Sequence, residues 1–177
     1  MEAVDYVEEN YPVDTKRLNI MGYSRGGFLT NWIITHTDRF NSAITAGSFS
    51  DVYSFFSTGD YMHIWCEKNY EGTPWDDEEL YMCKSPLRYV KNVQTPTLIM
   101  HAMEDYRASV TQAEQLYVSL KRLRKETEMI LFPGENHSLP RASSPQHMTE
   151  YNGHMLRWFN RFNKIPARAQ NHTLGAR

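Results

Sequence analysis

Cysteine is scarce, with only Cys66 and Cys83 in 177 residues. Two thiols cannot build the framework of several bridges that holds small secreted domains together, so free thiols in a reducing cytoplasm are the simpler reading. An excess of one charge is also missing. Lys plus Arg number 19 against 21 Asp plus Glu, and a net charge of −2 disfavours nucleic-acid binding driven by bulk charge. No apolar run approaches the roughly 18 residues of a membrane span. The first residues, Met1-Glu2-Ala3-Val4-Asp5, lack the basic start and apolar core of a signal peptide. Neither H-E-x-x-H nor C-x-x-C spacing occurs, and no Walker lysine or G-x-G-x-x-G accompanies the glycines. No metal and no cofactor is therefore expected.

Hydrophobic residues make up 41% and charged residues 23%, proportions of a globular chain long enough for one domain. Val4, Val7 and Tyr11 fit a short amphipathic helix ending before Pro12. Strands are expected at Arg17 to Tyr23, Ser42 to Ala46, Thr97 to Ala102 and Glu128 to Phe132. Helices are expected from Arg25 to His36, after Ser109, and from Pro145 to Asn163. Ser109 and Gln112 have capping-box spacing. Ser48 to Tyr89 reads as aromatic and irregular, with a capped helix start at Thr73-Pro74-Trp75 and the acids Asp76 to Glu79 in its first turn. Apolar strands alternating with helices indicate an α/β fold, a mainly parallel sheet covered on both faces, with function at one edge of the strand ends.

Gly22-Tyr23-Ser24-Arg25-Gly26 fits G-x-S-x-G. The pattern alone is weak, since composition produces it by chance in roughly 6% of chains this long. Its place between a strand and a helix makes it a candidate nucleophile elbow, where flanking glycines relieve a strained turn. Gly22 and Gly26 meet that need, and Gly27 adds room. A serine hydroxyl needs an imidazole base, itself oriented by a carboxylate. The acid follows a later strand, where Glu104 and Asp105 both stand, and the base follows the next, where His137 stands. His101, inside a strand, reads as a packed, hydrogen-bonded histidine.

These residues resemble the prolyl oligopeptidase family of serine peptidases, and most nearly its acylaminoacyl-peptidase branch. The resemblance rests on Gly22 to Gly27, Thr30-Asn31-Trp32, Thr35 to Phe40, Gly72 to Trp75, Ser85 to Val90, Glu104 to Arg107, Gln112 to Tyr117 and Phe132 to His137. It implies a partial α/β-hydrolase fold over residues 1–164, while the polar residues that follow, 165–177, read as a flexible tail. It implies Ser24 as nucleophile, His137 as general base and Asp105, rather than Glu104, as the orienting acid. The Arg25 N–H would be one oxyanion donor. Arg107 would face a backbone carbonyl of a short or N-acylated peptide substrate. Phe49, Val52 and Phe55 would fall in the first specificity pocket, with Val52 where the family has a tryptophan. Arg25 replaces the family's usual Tyr, Asn or His. Ser24 lies so near Met1 that the earlier strands, the loop carrying the second oxyanion donor and the propeller domain have no room. That absence leads us to expect exposed strand edges, and self-association or a complementary chain supplying strands. It also leaves open an impaired fragment acting as an association module, or an esterase on the same fold.

Overall fold

The structure, a computed structural model, describes residues 1–163. Four strands form one parallel sheet in the order β1-β2-β3-β4: β1 (Asn19–Tyr23), β2 (Ser42–Ala46), β3 (Thr97–Ala102) and β4 (Thr127–Phe132). Each strand runs in the expected place. β1 starts at Asn19 because Asp14 first turns the chain, accepting bonds from the Lys16 N–H at 3.0 Å and the Arg17 Nε at 2.7 Å. The tail expected over 165–177 lies outside the described residues.

Strand periodicity divides the core. Ile44, Leu98 and Met100 pack on one face with Tyr151 and Trp158 of α8 (Pro145–Phe162) and with Leu139 of α7 (Leu139–Ala142). Ala43 and Ile99 pack on the other with Ile34 of α2 (Arg25–Ile34) and Leu116 and Leu120 of α6 (Val110–Arg122). Both faces of β2 and β3 are buried along their whole length, which is why these strands read as near-continuous apolar runs. β1 is an edge strand among the described residues, and Met21 on it is 43% exposed. Helix α1 (Glu2–Asn10) has no buried residue, and its Tyr6 and Val7 are exposed.

The stretch expected to be irregular contains α3 (Val52–Thr58), α4 (Met62–Tyr70), α5 (Glu78–Cys83) and a 3-10 helix over Pro86–Asn92. Thr73 does not start a helix. Its N–H and hydroxyl both donate to Asp76, closing a separate turn, and Asp77 caps α5 by accepting from the Leu80 N–H at 2.9 Å. These elements enclose a second aromatic cluster of Phe49, Phe55, Phe56, Cys66 and Tyr81 beyond the carboxyl ends of the strands.

Gln112 does not complete a capping box. The Ser109 hydroxyl accepts from the Thr111 N–H at 3.4 Å, while the Gln112 side chain turns inward and is 1% exposed. Its Oε1 accepts from the Ser50 and Asp51 N–H groups, each at 3.1 Å, and its Nε2 donates to the Ser54 hydroxyl at 2.9 Å. One glutamine thus fixes the loop that carries Phe49 and the start of α3, which carries Phe55. Gln112→Ala would leave two buried backbone donors unpaired. A loss of about 2–3 kcal/mol is expected, read as a midpoint roughly 5–10 °C lower in thermal denaturation.

Candidate active site

Ser24 caps α2 with φ 56° and ψ −120°, a conformation that L residues rarely adopt. Its N–H donates to the Ala46 carbonyl at 2.8 Å, so β2 supports the turn. Gly22 and Gly27 make the turn possible. A Cβ on Gly22 would lie 2.1 Å from the Gly26 carbonyl, and one on Gly27 would lie 2.6 Å from the Ser48 Cβ. The expected need at Gly26 is not borne out among the described residues, where a Cβ would meet nothing within 4 Å. The turn folds Gly22 against the first turn of α2, so the crowding falls at Gly22 and the open side at Gly26.

The Ser24 hydroxyl lies 2.9 Å from His137 Nε2, and His137 Nδ1 lies 2.7 Å from Asp105 Oδ2. A carboxylate only accepts, so Nδ1 carries the proton and Nε2 is left to accept from Ser24. The side chain of Asp105 is fully buried, and its Oδ1 accepts from the Arg107 and Ala108 N–H groups at 3.0 and 2.9 Å. Glu104 is exposed instead, its N–H donating to the Glu135 carbonyl at 2.9 Å. That bond joins the loop after β3 to the loop after β4, bringing Asp105 and His137 together.

One support escaped the sequence reading, and another matched it. The Tyr23 hydroxyl donates to the His137 carbonyl at 2.7 Å, and the two rings lie 5.4 Å apart. Burial raises the Tyr23 phenol well above its ordinary pKa, so it stays a donor. The signal was there, because position x of G-x-S-x-G lies one residue from the turn. His101 is 1% exposed and its Nε2–H donates to the Ala108 carbonyl at 2.7 Å, as a packed histidine should. Burial pushes its pKa down, and the Ala108 bond and the Asp105 charge oppose that only partly.

Beside Ser24 and His137 opens a cavity of about 150 Å³, walled by Phe49, Phe55, Met62 and Trp65. Arg25, Tyr61, Arg107 and Ala108 complete its lining. Val52 is not on this wall. It is fully buried in the aromatic cluster, and its N–H donates to the Ser85 hydroxyl at 2.8 Å. Val52 opens α3 one turn before Phe55 and packs behind the wall, in the same buried cluster as Phe49 and Phe55. Trp65 on α4 supplies aromatic wall in its place, in T-shaped contact with both rings at 6.1 and 6.2 Å. Arg107 reaches the cavity, but its Nε also donates to Asp60 at 2.8 Å and its guanidinium lies 4.1 Å from the Tyr61 ring centroid. The Arg25 N–H opens α2, whose first donors have no acceptor within the helix.

Among the described residues no helix is long and apolar enough to cross a membrane, and no group of three or more His, Cys, Asp or Glu is placed to hold a metal. Cys66 and Cys83 are free thiols.

Residues 1–165 match the model of the prolyl oligopeptidase family. The chain is 38% identical over 161 residues to the uncharacterized peptidase YuxL of Bacillus subtilis, covering 90% of this chain and 24% of that protein. It is 29% identical to the acylamino-acid-releasing enzyme of Arabidopsis thaliana, covering 92% of this chain and 22% of that protein. Acylaminoacyl peptidase of Pyrococcus horikoshii superposes with a TM-score of 0.85 at 30% identity, over 93% of this chain and 27% of that one. The chain thus spans about a quarter of the length of these relatives. Its partial α/β-hydrolase sheet, its elbow and its matched sequence place it in the prolyl oligopeptidase family.

Proposed function

We propose that this chain carries the reacting groups of a serine peptidase that cleaves short or N-acylated peptides by acyl transfer. One observation carries the reading: a continuous pair of hydrogen bonds from Ser24 through His137 to Asp105, beginning in a strained elbow. In this mechanism Ser24 Oγ attacks the scissile carbonyl carbon while Nε2 of His137 takes its proton. The Arg25 N–H bonds the oxygen that gains charge. The C–N bond then breaks, and His137 returns the proton to the leaving amine. Water, deprotonated by His137, releases the acyl group from Ser24. Asp105 holds the ring in the tautomer that accepts from Ser24, and Arg107 bonds a substrate backbone carbonyl. The names of the acylamino-acid-releasing and acylaminoacyl relatives favour an N-acylated peptide over an ester.

The test is release of amine from N-acetylated peptide anilides. The purified chain is expected to hydrolyse them, and Ser24→Ala to reduce the rate to background. Hydrolysis undiminished by Ser24→Ala would overturn the reading.

We further propose that residues 1–164 act as part of a larger hydrolase unit in a reducing cytoplasm, where two free thiols persist. The support for a partner is the outer edge of β1, which pairs with no strand among the described residues. An open groove of about 560 Å³ beside it is lined by Val13, Leu18, Met21 and Phe159. A second copy of the chain or a complementary chain would pair that edge. Sedimentation should show association, and a monodisperse monomer would contradict it.

A further inference from the structure

The cavity beside Ser24 is apolar in its walls but positive in its charge. Two guanidiniums line it, Arg25 and Arg107, and no carboxylate does. Arg107 is already neutralised, because Asp60 accepts from its Nε at 2.8 Å. Arg25 is different. Among the described residues it forms no salt bridge. Its guanidinium carbon lies 5.8 Å from the Trp65 ring centroid, a loose stacking that leaves the N–H donors free. The same charge reaches Tyr70, where it opposes the rise to about 12 that burial imposes on the phenol. A planar fork of donors on an aromatic wall, facing a cavity with no internal counter-charge, matches a carboxylate on a short methylene stem.

Building on the assignment of Ser24 as nucleophile, we propose that Arg25 makes this cavity selective for an acidic side chain on the residue whose carbonyl Ser24 attacks. Glutamate fits best. Its two methylenes lie against Phe49, Phe55 and Trp65, and its carboxylate reaches the Arg25 guanidinium. Aspartate is shorter and leaves the aromatic wall partly uncovered. Phenylalanine fills the wall but leaves the Arg25 charge without a partner.

The test separates recognition from chemistry. N-acetylglutamate amide and N-acetylglutamine amide differ only in the side-chain charge, and both are titrated into the Ser24→Ala chain by calorimetry or NMR. The glutamate ligand is expected to bind about fivefold more tightly, the effect of one partly exposed, charge-assisted contact. Arg25→Gln in the same background is expected to erase the difference, and added salt to narrow it. Equal affinities, a preference that survives Arg25→Gln, or no binding of either ligand would overturn the proposal. A second arm compares kcat/KM of the Ser24 chain on matched glutamyl and glutaminyl esters. If neither ester is cleaved while the binding preference holds, the peptidase reading fails and the acidic site stands. If both are cleaved alike with no binding preference, the reverse is true.

Discussion

Replacing Asp105 by asparagine should lower kcat about 10⁴-fold while leaving the fold in place. The size follows from the way the carboxylate is held. Its Oδ1 is pinned by two backbone donors, the N–H groups of Arg107 and Ala108. An asparagine keeps those bonds only by placing its carbonyl oxygen there. Its NH₂ then takes the place of Oδ2 and faces His137 Nδ1, where a donor now stands in place of an acceptor. The ring answers by moving its proton to Nε2, the atom that has to accept from Ser24. The substitution therefore inverts the tautomer without removing a side chain. Turnover of the N-acetylated anilide by wild type and Asp105→Asn checks it, with circular dichroism to show an unchanged fold. Retention of more than about a tenth of the rate would mean that Asp105 does not orient His137.

The second large effect is expected at Gly22. A methyl group there would sit 2.1 Å from both the carbonyl carbon and oxygen of Gly26 and 2.6 Å from the Gly27 nitrogen. These are backbone atoms at the start of α2, so no side-chain rotation relieves the contact. Either β1 or the helix start has to move, and Ser24 moves with it. Gly22→Ala is expected to cost about 3 kcal/mol or more, a midpoint roughly 10 °C lower, and to abolish turnover. Gly26→Ala is the contrast. It meets nothing among the described residues and lies in a helix, where alanine is favoured over glycine by about 1 kcal/mol. Thermal denaturation of the two variants should give shifts of opposite sign or very unequal size. Equal destabilisation would show that the elbow is not packed as described.

The residues at the candidate site were legible because their spacing is local. A strand, a G-x-S-x-G turn and a helix occupy consecutive positions, and the two later strands run straight into Asp105 and His137. What separated Asp105 from Glu104 was not visible in spacing alone. It is burial and the two backbone donors, which only the folded loop supplies. The helices α3 and α4 were missed, and α5 was given too early a start, for a different reason. They are short, and they pack into an aromatic cluster on several sides, so no clean 3.6-residue stripe marks them. Val52 stands behind the cavity wall and not on it, since α3 packs its side chain into the cluster beside Phe55. Gln112 shows a local rule losing to a tertiary one. Its spacing from Ser109 matched a cap, but two buried N–H groups on a distant loop took the side chain.

If Ser24 is the nucleophile and His137 its base, the serine hydroxyl is activated and open to covalent capture. A fluorophosphonate probe followed by peptide mapping tests it most directly, because the probe bonds covalently to an activated serine and the adduct is then located by mass. A single adduct is expected on Ser24 in the wild-type chain, absent from Ser24→Ala and from His137→Ala. An adduct on another residue, or equal labelling of wild type and Ser24→Ala, would contradict it.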